Sequence, residues 1–145
     1  MDNFIKMASL YGKVSKKNIN ITQCVKCLSE LGYSVDDSFL KFIEKYGGVY
    51  GHHSAYKNKE AVGRTFYIDP EEAVQHIIKE WVEGYEERAE CKLTPVGECC
   101  NGYFILMYGN GVLYGGADDY LYKYGNNISE AIDNFVNGKE SIKIN

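Results

Sequence analysis

Apolar residues recur along the chain at two spacings, and the two spacings occupy different regions. Up to about residue 92 they recur mostly every three or four positions, as on one face of a helix, and from there to about residue 124 they run continuously or alternate, as in strands. The helical spacing predicts a short helix from Thr22 to Gly32 and another between Ser34 and Gly47, because these residue types serve as helix caps. A region of helices is therefore followed by a region of strands.

Two further helices are predicted in the first region. Residues 2–10 carry apolar side chains loosely on one side. The signals at Asp69 and Pro70 are stronger, because Asp69 fits an N-cap, Pro70 fits the first helical position and the glutamates that follow complement the helix dipole. The side chains that this helix is predicted to bury are Val74, Ile77, Ile78, Trp81 and Val82. This long helix has the clearest signals in the chain.

Strand signals begin at residues 64–68, after a segment over residues 49–63 that is predicted as a loop. The dipeptides Asn101-Gly102 and Asn110-Gly111 then separate three apolar runs, and Asn-Gly favours tight hairpin turns since both residues tolerate a positive φ. The prediction is an antiparallel meander whose central strand is covered on both faces. A last amphipathic helix, with apolar positions from Ile128 to Val136, follows the meander and stops at Gly138.

Length and charge narrow the class of protein. The 145 residues, 45% of them hydrophobic, suit one globular domain spanning 1–145 with its core at about 22–140. The net charge of −4, from 16 basic and 20 acidic residues, argues against direct nucleic-acid binding and favours a basic partner. The N-terminus lacks the pattern of a signal peptide, and no apolar run reaches the roughly 20 residues of a membrane-spanning helix. We expect a cytoplasmic protein that does not contact a membrane, with its five cysteines reduced.

Residues that commonly carry chemistry do not form a diagnostic motif. Cys24 and Cys27 have the spacing of a zinc or redox pair, but they also share a predicted helix face with leucines, which favours simple packing. The histidines His52, His53 and His76 have no partner at the spacing of a known catalytic signature. We therefore predict no enzymatic activity, no cofactor and no metal site, with zinc binding kept as a less favoured alternative.

Tyrosine and acidic residues supply the candidate binding surface. The chain has thirteen tyrosines, a residue type enriched at protein interfaces, although alternating tyrosines also cover ordinary sheet faces. Aspartates in turns and glutamates on helices are often only solvated, but they also speed association with a basic partner. The candidates for partner binding are Glu86, Glu87, Glu90, Asp118, Asp119, Tyr120 and Tyr122. They point to binding rather than to catalysis.

Several short segments, taken in order, resemble the SUKH-type immunity proteins, especially their third subfamily. The matching segments are Phe39-Leu40 to Tyr46-Gly47-Gly48, Tyr67-Ile68-Asp69-Pro70, Leu93-Thr94-Pro95-Val96-Gly97-Glu98, Gly111-Val112-Leu113-Tyr114-Gly115 and Tyr124-Gly125-Asn126 before Glu130-Ala131-Ile132. Near the N-terminus the chain departs from the subfamily, which often has Gly-Trp and a following Arg where this chain has Leu10-Tyr11-Gly12 and then Lys16-Lys17. The resemblance covers about residues 22–140.

The resemblance implies an α+β fold with a mainly antiparallel sheet and N-terminal, middle and C-terminal helices packed against it. It implies a cytoplasmic antidote to a secreted bacterial toxin, often a nuclease or a deaminase, and it transfers no catalytic residues. The expected partner is the toxin domain of a cognate effector. The alternative is a regulatory or scaffolding module that binds an unrelated protein with the same fold. The resemblance leaves the oligomeric state open.

Overall fold

The computed structural model describes residues 14–53, 64–137 and 142–144, so the helix predicted over residues 2–10 and the stop at Gly138 lie outside it. Within these ranges there are five helices and eight strands. The helices are α1 Ile21–Glu30, α2 Asp37–Tyr46, α3 Pro70–Ala73, α4 Lys79–Ala89 and α5 Ile128–Asn137. The strands are β1 Val14–Lys16, β2 Val49–His53, β3 Arg64–Ile68, β4 Thr94–Cys99, β5 Phe104–Gly109, β6 Val112–Ala117, β7 Tyr120–Lys123 and β8 Ile142–Ile144.

The eight strands form a single sheet in sequence order, and each strand pairs antiparallel with the next. This confirms the α+β class with an antiparallel sheet and extends the predicted meander to both sides. The turn at Asn110-Gly111 has φ angles of 49° and 78°, as its sequence predicts. Strand β5 lies between β4 and β6 and is buried from Ile105 to Gly109, which confirms it as a central strand covered on both faces.

Each face of the sheet has its own helical cover. Side chains alternate along a strand, so the pairing of β5 with β6 places Tyr108 and Gly116 on opposite faces. On the first, called here the α2 face, the Tyr108 ring packs against Phe39 and Phe42 of α2, with centroid distances of 5.7 and 4.9 Å. On the second, the α4 face, Gly116 lies directly under the Tyr85 ring of α4.

The first two helices start close to their predicted positions. The N-cap of α1 is Asn20 rather than Thr22, and its side chain accepts a hydrogen bond from the backbone of Gln23. The N-cap of α2 is Asp36 rather than Ser34. Asparagine and aspartate cap at least as well as threonine and serine, so neighbouring polar residues compete for the same role. The predicted loop at residues 49–63 is wrong in its first part, because β2 extends to residue 53.

The long helix predicted after Asp69 is wrong in its middle. Asp69 is the N-cap as predicted, but α3 ends at Ala73 and α4 begins only at Lys79. The β-branched residues between them favour extended backbone, and Ile78 adopts it with φ −96° and ψ 154°. Of the side chains predicted to be buried there, Val82 is fully buried, Val74 and Ile77 are half-buried, and Ile78 and Trp81 are exposed.

Candidate partner-binding surface

The break between α3 and α4 leaves a groove of about 700 Å³ on the α4 face. Residues 74–78 and Trp81 line one side of it, and the turn with Gly102 and Tyr103 lines another. Glu98 and Ile105, at most 8% exposed, lie at its base. A continuous helix would keep its apolar face on the sheet, so this groove follows from the interruption of the helix.

The rim of the groove is apolar and open to solvent. Ile78, Trp81 and Tyr103 are 59%, 49% and 59% exposed, which is unusual for side chains of this size in a folded domain. Trp81 contacts Tyr85 at a centroid distance of 6.3 Å and is otherwise available on its outer side. Clustered apolar exposure of this kind marks a binding surface more often than scattered single residues do.

The base of the groove is polar and acidic. The Tyr67 hydroxyl donates a hydrogen bond to Glu98 Oε1, and His76 Nε2 lies 3.4 Å from the same oxygen. His76 Nε2 also lies 3.1 Å from Glu72 Oε1. The hydrogen bond to Glu72, and next the charge of Glu98, raise the pKa of His76. Burial, and next the hydrogen bond to Glu98, raise the pKa of Tyr67, so this hydroxyl stays protonated and donates.

The turn between β6 and β7 brings two predicted residues to this surface. Asp118 borders the groove, and Asp118 and Asp119 both line a neighbouring depression of about 430 Å³ that shares Trp81 and Tyr85 with it. The turn is held by its backbone, since the Asp118 carbonyl accepts from the Tyr85 hydroxyl and the Asp119 carbonyl accepts from Arg88, each at 2.8 Å. Both aspartates are exposed, so their carboxylates face solvent.

The predicted tyrosines of β7 belong to a row of aromatic rings that reaches the groove at Tyr103. Tyr103 contacts Phe104 at 5.0 Å, Phe104 contacts Tyr122 at 5.5 Å, and Tyr122 stacks on Tyr120 at 6.4 Å between centroids. The ammonium group of Lys143 lies 4.9 Å from the Tyr120 ring centre. Of the two predicted tyrosines, Tyr120 is 43% exposed and Tyr122 is half-buried. We call these four rings the aromatic row.

The three predicted glutamates of α4 do not line the groove. Glu86 Oε2 accepts a hydrogen bond of 2.8 Å from the backbone of buried Leu93, so this carboxylate ties the end of α4 to the start of β4. Glu87 and Glu90 are exposed, and Glu90 ends the helix with a φ of 59°. The structure therefore brings Asp118 and Asp119 beside the groove, places Tyr120 and Tyr122 on the α2 face, and leaves the glutamates elsewhere on α4.

Sequence reasoning did not select the residues that define the groove. Trp81 and Ile78 follow helical spacing and are predicted to be buried, and Tyr103 is assigned to the apolar central strand. Glu98 lies in a strand whose six residues are all buried. A glutamate inside an otherwise buried strand is the signal that points to this site, because a buried carboxylate needs a partner.

The cysteine pair lies away from this surface. Cys24 is buried on α1, with its sulfur 3.8 Å from Glu71 Oε1, and Cys27 is half-buried. Burial, and next the charges of Asp69 and Glu71, raise the pKa of Cys24 to about 11, so it is a neutral thiol at pH 7. In the described ranges no group of three or more His, Cys, Asp or Glu side chains is arranged to hold a metal ion.

The remaining observations concern the chain as a whole. Across the residues that the structure covers, no helix is both long and apolar enough to span a bilayer. Comparison with curated proteins and with solved structures gives no significant match. The family model of the SUKH-3 immunity protein matches residues 14–138. The matched range includes β1 to β7 and all five helices, and on this basis the chain belongs to the SUKH-3 immunity protein family.

Proposed function

We propose that this protein is a cytoplasmic antidote in a bacterium, and that it neutralises the toxin domain of a cognate secreted effector by binding it stoichiometrically. The observation that carries this proposal is the apolar rim of the groove, where Ile78, Trp81 and Tyr103 are each about half exposed or more. Membership of an immunity protein family supplies the class of partner.

The composition of the surface supports protein binding. Protein interfaces are built around tryptophan and tyrosine anchors with a polar rim, because these side chains bury a large area at a small entropy cost. The groove offers Trp81 and Tyr103 as such anchors. The rest of the aromatic row lies on the α2 face of the sheet, so Tyr103 at the turn is the ring that belongs to the groove. The aspartates of the β6–β7 turn add a polar border.

Charge supports a basic partner. The chain carries a net charge of −4, and Asp118 and Asp119 are exposed beside the groove. A toxin that acts on nucleic acid needs a positively charged surface to hold phosphates, and a complementary acidic surface speeds its capture. We therefore propose a nuclease or another nucleic-acid-targeting toxin as the partner. Neutralisation then consists of covering the toxin's active site or its path to substrate.

The test is co-expression with the C-terminal toxin domain of a secreted protein encoded beside this chain, with growth rescue and co-purification as the two readouts. We expect rescue and a one-to-one complex. Trp81→Ala should weaken both, whereas Leu31→Ala should leave both unchanged, because Leu31 is similarly exposed (47%) at the end of α1 and lines neither groove nor depression.

Three results would contradict the proposal. The absence of both rescue and complex would favour a regulatory or scaffolding role for the same fold. Rescue without a complex would exclude stoichiometric binding as the mechanism. Equal loss of binding in Trp81→Ala and Leu31→Ala would show that the groove has no special role. The thermal stability of both variants should be measured first, so that misfolding is not counted as lost binding.

A further inference from the structure

We infer that the groove receives an arginine or lysine side chain of the toxin domain, with the Glu98 carboxylate as its counter-ion and the rings of Trp81 and Tyr103 beside it. The inference rests on the proposed function, because it names the chemical group by which the partner is recognised. It goes further by assigning a specific pocket, and it makes predictions that a general docking surface does not.

The first argument is that, among the described residues, the basic group beside the Glu98 carboxylate is a histidine, His76, which carries a charge only when it is protonated. The Glu98 side chain is only 10% exposed, yet in the part of the chain that the structure describes no lysine or arginine forms an ion pair with it. Its polar contacts there are the Tyr67 hydroxyl and the ring of His76. A carboxylate withdrawn from water is costly unless a positive charge pairs with it. Glu98 faces an open groove, from which a partner can supply that charge.

The second argument is a contrast among the aromatic rings. Three tyrosines hold one of the protein's own lysines over the ring, with nitrogen-to-centroid distances of 5.6 Å for Tyr33, 5.3 Å for Tyr46 and 4.9 Å for Tyr120. Trp81 and Tyr103 have no such cation among the described residues. Aromatic faces attract arginine and lysine, and tryptophan does so most strongly. The rings at the groove are therefore available for a cation from a partner.

The third argument is the character of the remaining lining. Among the described residues that line the groove there is no lysine or arginine, and His76 is the basic group nearest the carboxylate. The negative charge of Glu98 at the bottom of the groove repels phosphate groups, so a nucleic acid is a poor occupant. Exposed Ile78 offers apolar contact to the residues that flank an inserted side chain. A protein segment that places a basic residue among apolar ones fits all of these features.

The experiment measures the affinity of the purified toxin domain for the wild-type protein, Glu98→Gln and Glu44→Gln. The two variants remove the same charge, and Glu44 is an exposed residue of α2, which packs on the other face of the sheet. We expect Glu98→Gln to weaken binding by about 30-fold or more, since the partner's cation then loses its counter-ion. Glu44→Gln should bind within about twofold of wild type, as expected of a solvated rim charge.

The folding of Glu98→Gln can be checked by a thermal melt. We expect it to fold, because glutamine still accepts the hydrogen bond from Tyr67. Trp81→Leu keeps an apolar side chain at an exposed position but removes the aromatic face, and it should weaken binding by about tenfold.

Replacing each arginine and lysine of the toxin by methionine should identify one residue whose effect disappears in the Glu98→Gln background.

The outcomes separate this inference from the proposed function. No binding by the wild-type protein would overturn both. Binding that is equally strong for wild type, Glu98→Gln and Glu44→Gln would overturn the inference and leave the proposed function standing. The same holds if no basic residue of the toxin couples to Glu98. A large effect of Glu98→Gln together with one coupled arginine or lysine would support the inference.

Discussion

The two faces of the sheet are covered in different ways. On the α2 face an uninterrupted ten-residue helix places Phe39 and Phe42 on Tyr108, and both phenylalanines are at most 5% exposed. On the α4 face the helical cover is broken between Ala73 and Lys79, and Trp81 is left half exposed above an acidic groove. Similar residue types are thus packed on one face and exposed on the other.

The difference lies in the continuity of the helical cover, and also in α4 itself, which is richer in charged residues and has a weaker apolar face than α2. A continuous amphipathic helix keeps its apolar stripe on the sheet over its full length, whereas two short helices contact the sheet at separate points. Between those points the segment is held by polar contacts, in which His76 lies within hydrogen-bonding distance of Glu72 and close to Glu98. The α2 face therefore supplies stability, and the α4 face is the surface that we propose for a partner.

The largest effect on stability should come from a substitution on the α2 face. Phe39→Ala should lower the free energy of unfolding by about 3–5 kcal/mol, because it removes a ring that is 1% exposed and leaves a cavity against Tyr108. Trp81→Ala, on the α4 face, should lower the free energy of unfolding by less than about 1 kcal/mol. Urea unfolding of both variants measures the difference. Equal losses would mean that Trp81 is part of the core.

The next effect tests how closely α4 packs against the sheet at Gly116. A Cβ atom at Gly116 would lie 2.7 Å from the Tyr85 ring and 2.9 Å from the Met107 methyl group, so Gly116→Ala should destabilise by about 1–3 kcal/mol. Gly84→Ala is the matched control, since a Cβ there meets nothing within 4 Å on a helix, and it should stabilise by about 0.5–1 kcal/mol. Destabilisation of similar size by both would contradict close packing at Gly116 alone.

A smaller effect distinguishes structural from exposed glutamates on α4. Glu86→Ala leaves the buried Leu93 amide without its acceptor, and it should cost about 1–3 kcal/mol in thermal or chemical unfolding. Glu87→Ala, at an exposed position one residue on, should change stability by less than about 0.5 kcal/mol. A negligible cost for Glu86→Ala would return Glu86 to the candidates for partner binding.

The smallest effect is a pH dependence at the groove. The pKa of His76 is raised by the hydrogen bond to Glu72 and then by the charge of Glu98, above the ordinary value of 6.5. Because the folded state binds this proton more tightly than the unfolded state, protonated His76 stabilises the fold fully below pH 6.5. This stabilisation is lost as the pH rises through the pKa of His76 in the folded state. The stability difference between wild type and His76→Asn should therefore shrink from pH 6 to pH 8. A difference that is constant over this range would contradict the contacts of His76.

Local signals predicted much of the fold. The capping residue Asp69, the stop at Gly47 and the Asn110-Gly111 turn act through their own backbone neighbours, so the sequence is enough to place them. The meander follows from alternation and turns, and it is confirmed. The break after Ala73 was not predicted, because a helical spacing of apolar residues does not reveal whether the sheet beneath leaves room for them.

The candidate site was less accessible to sequence reasoning. Asp118 and Asp119 were selected as turn residues, and the structure places them beside Trp81. Asp118 also lines the groove with Glu98 and Tyr103, which depends on which strand ends lie together at one end of the sheet. That is set by the pairing of distant strands and not by the sequence of any one segment. Trp81 was assigned to the core because exposure depends on the tertiary cover, which the local pattern does not contain.

The central claim is that the toxin domain covers the groove beside Trp81. The chain has a single tryptophan, so protein labelled with 5-fluorotryptophan gives one ¹⁹F NMR resonance, that of Trp81 at the rim of the groove. We predict that titration with the unlabelled toxin domain shifts this resonance and that the shift is complete at one equivalent. A complex that forms, as judged by size-exclusion chromatography, while the Trp81 resonance stays at its free position would contradict the claim.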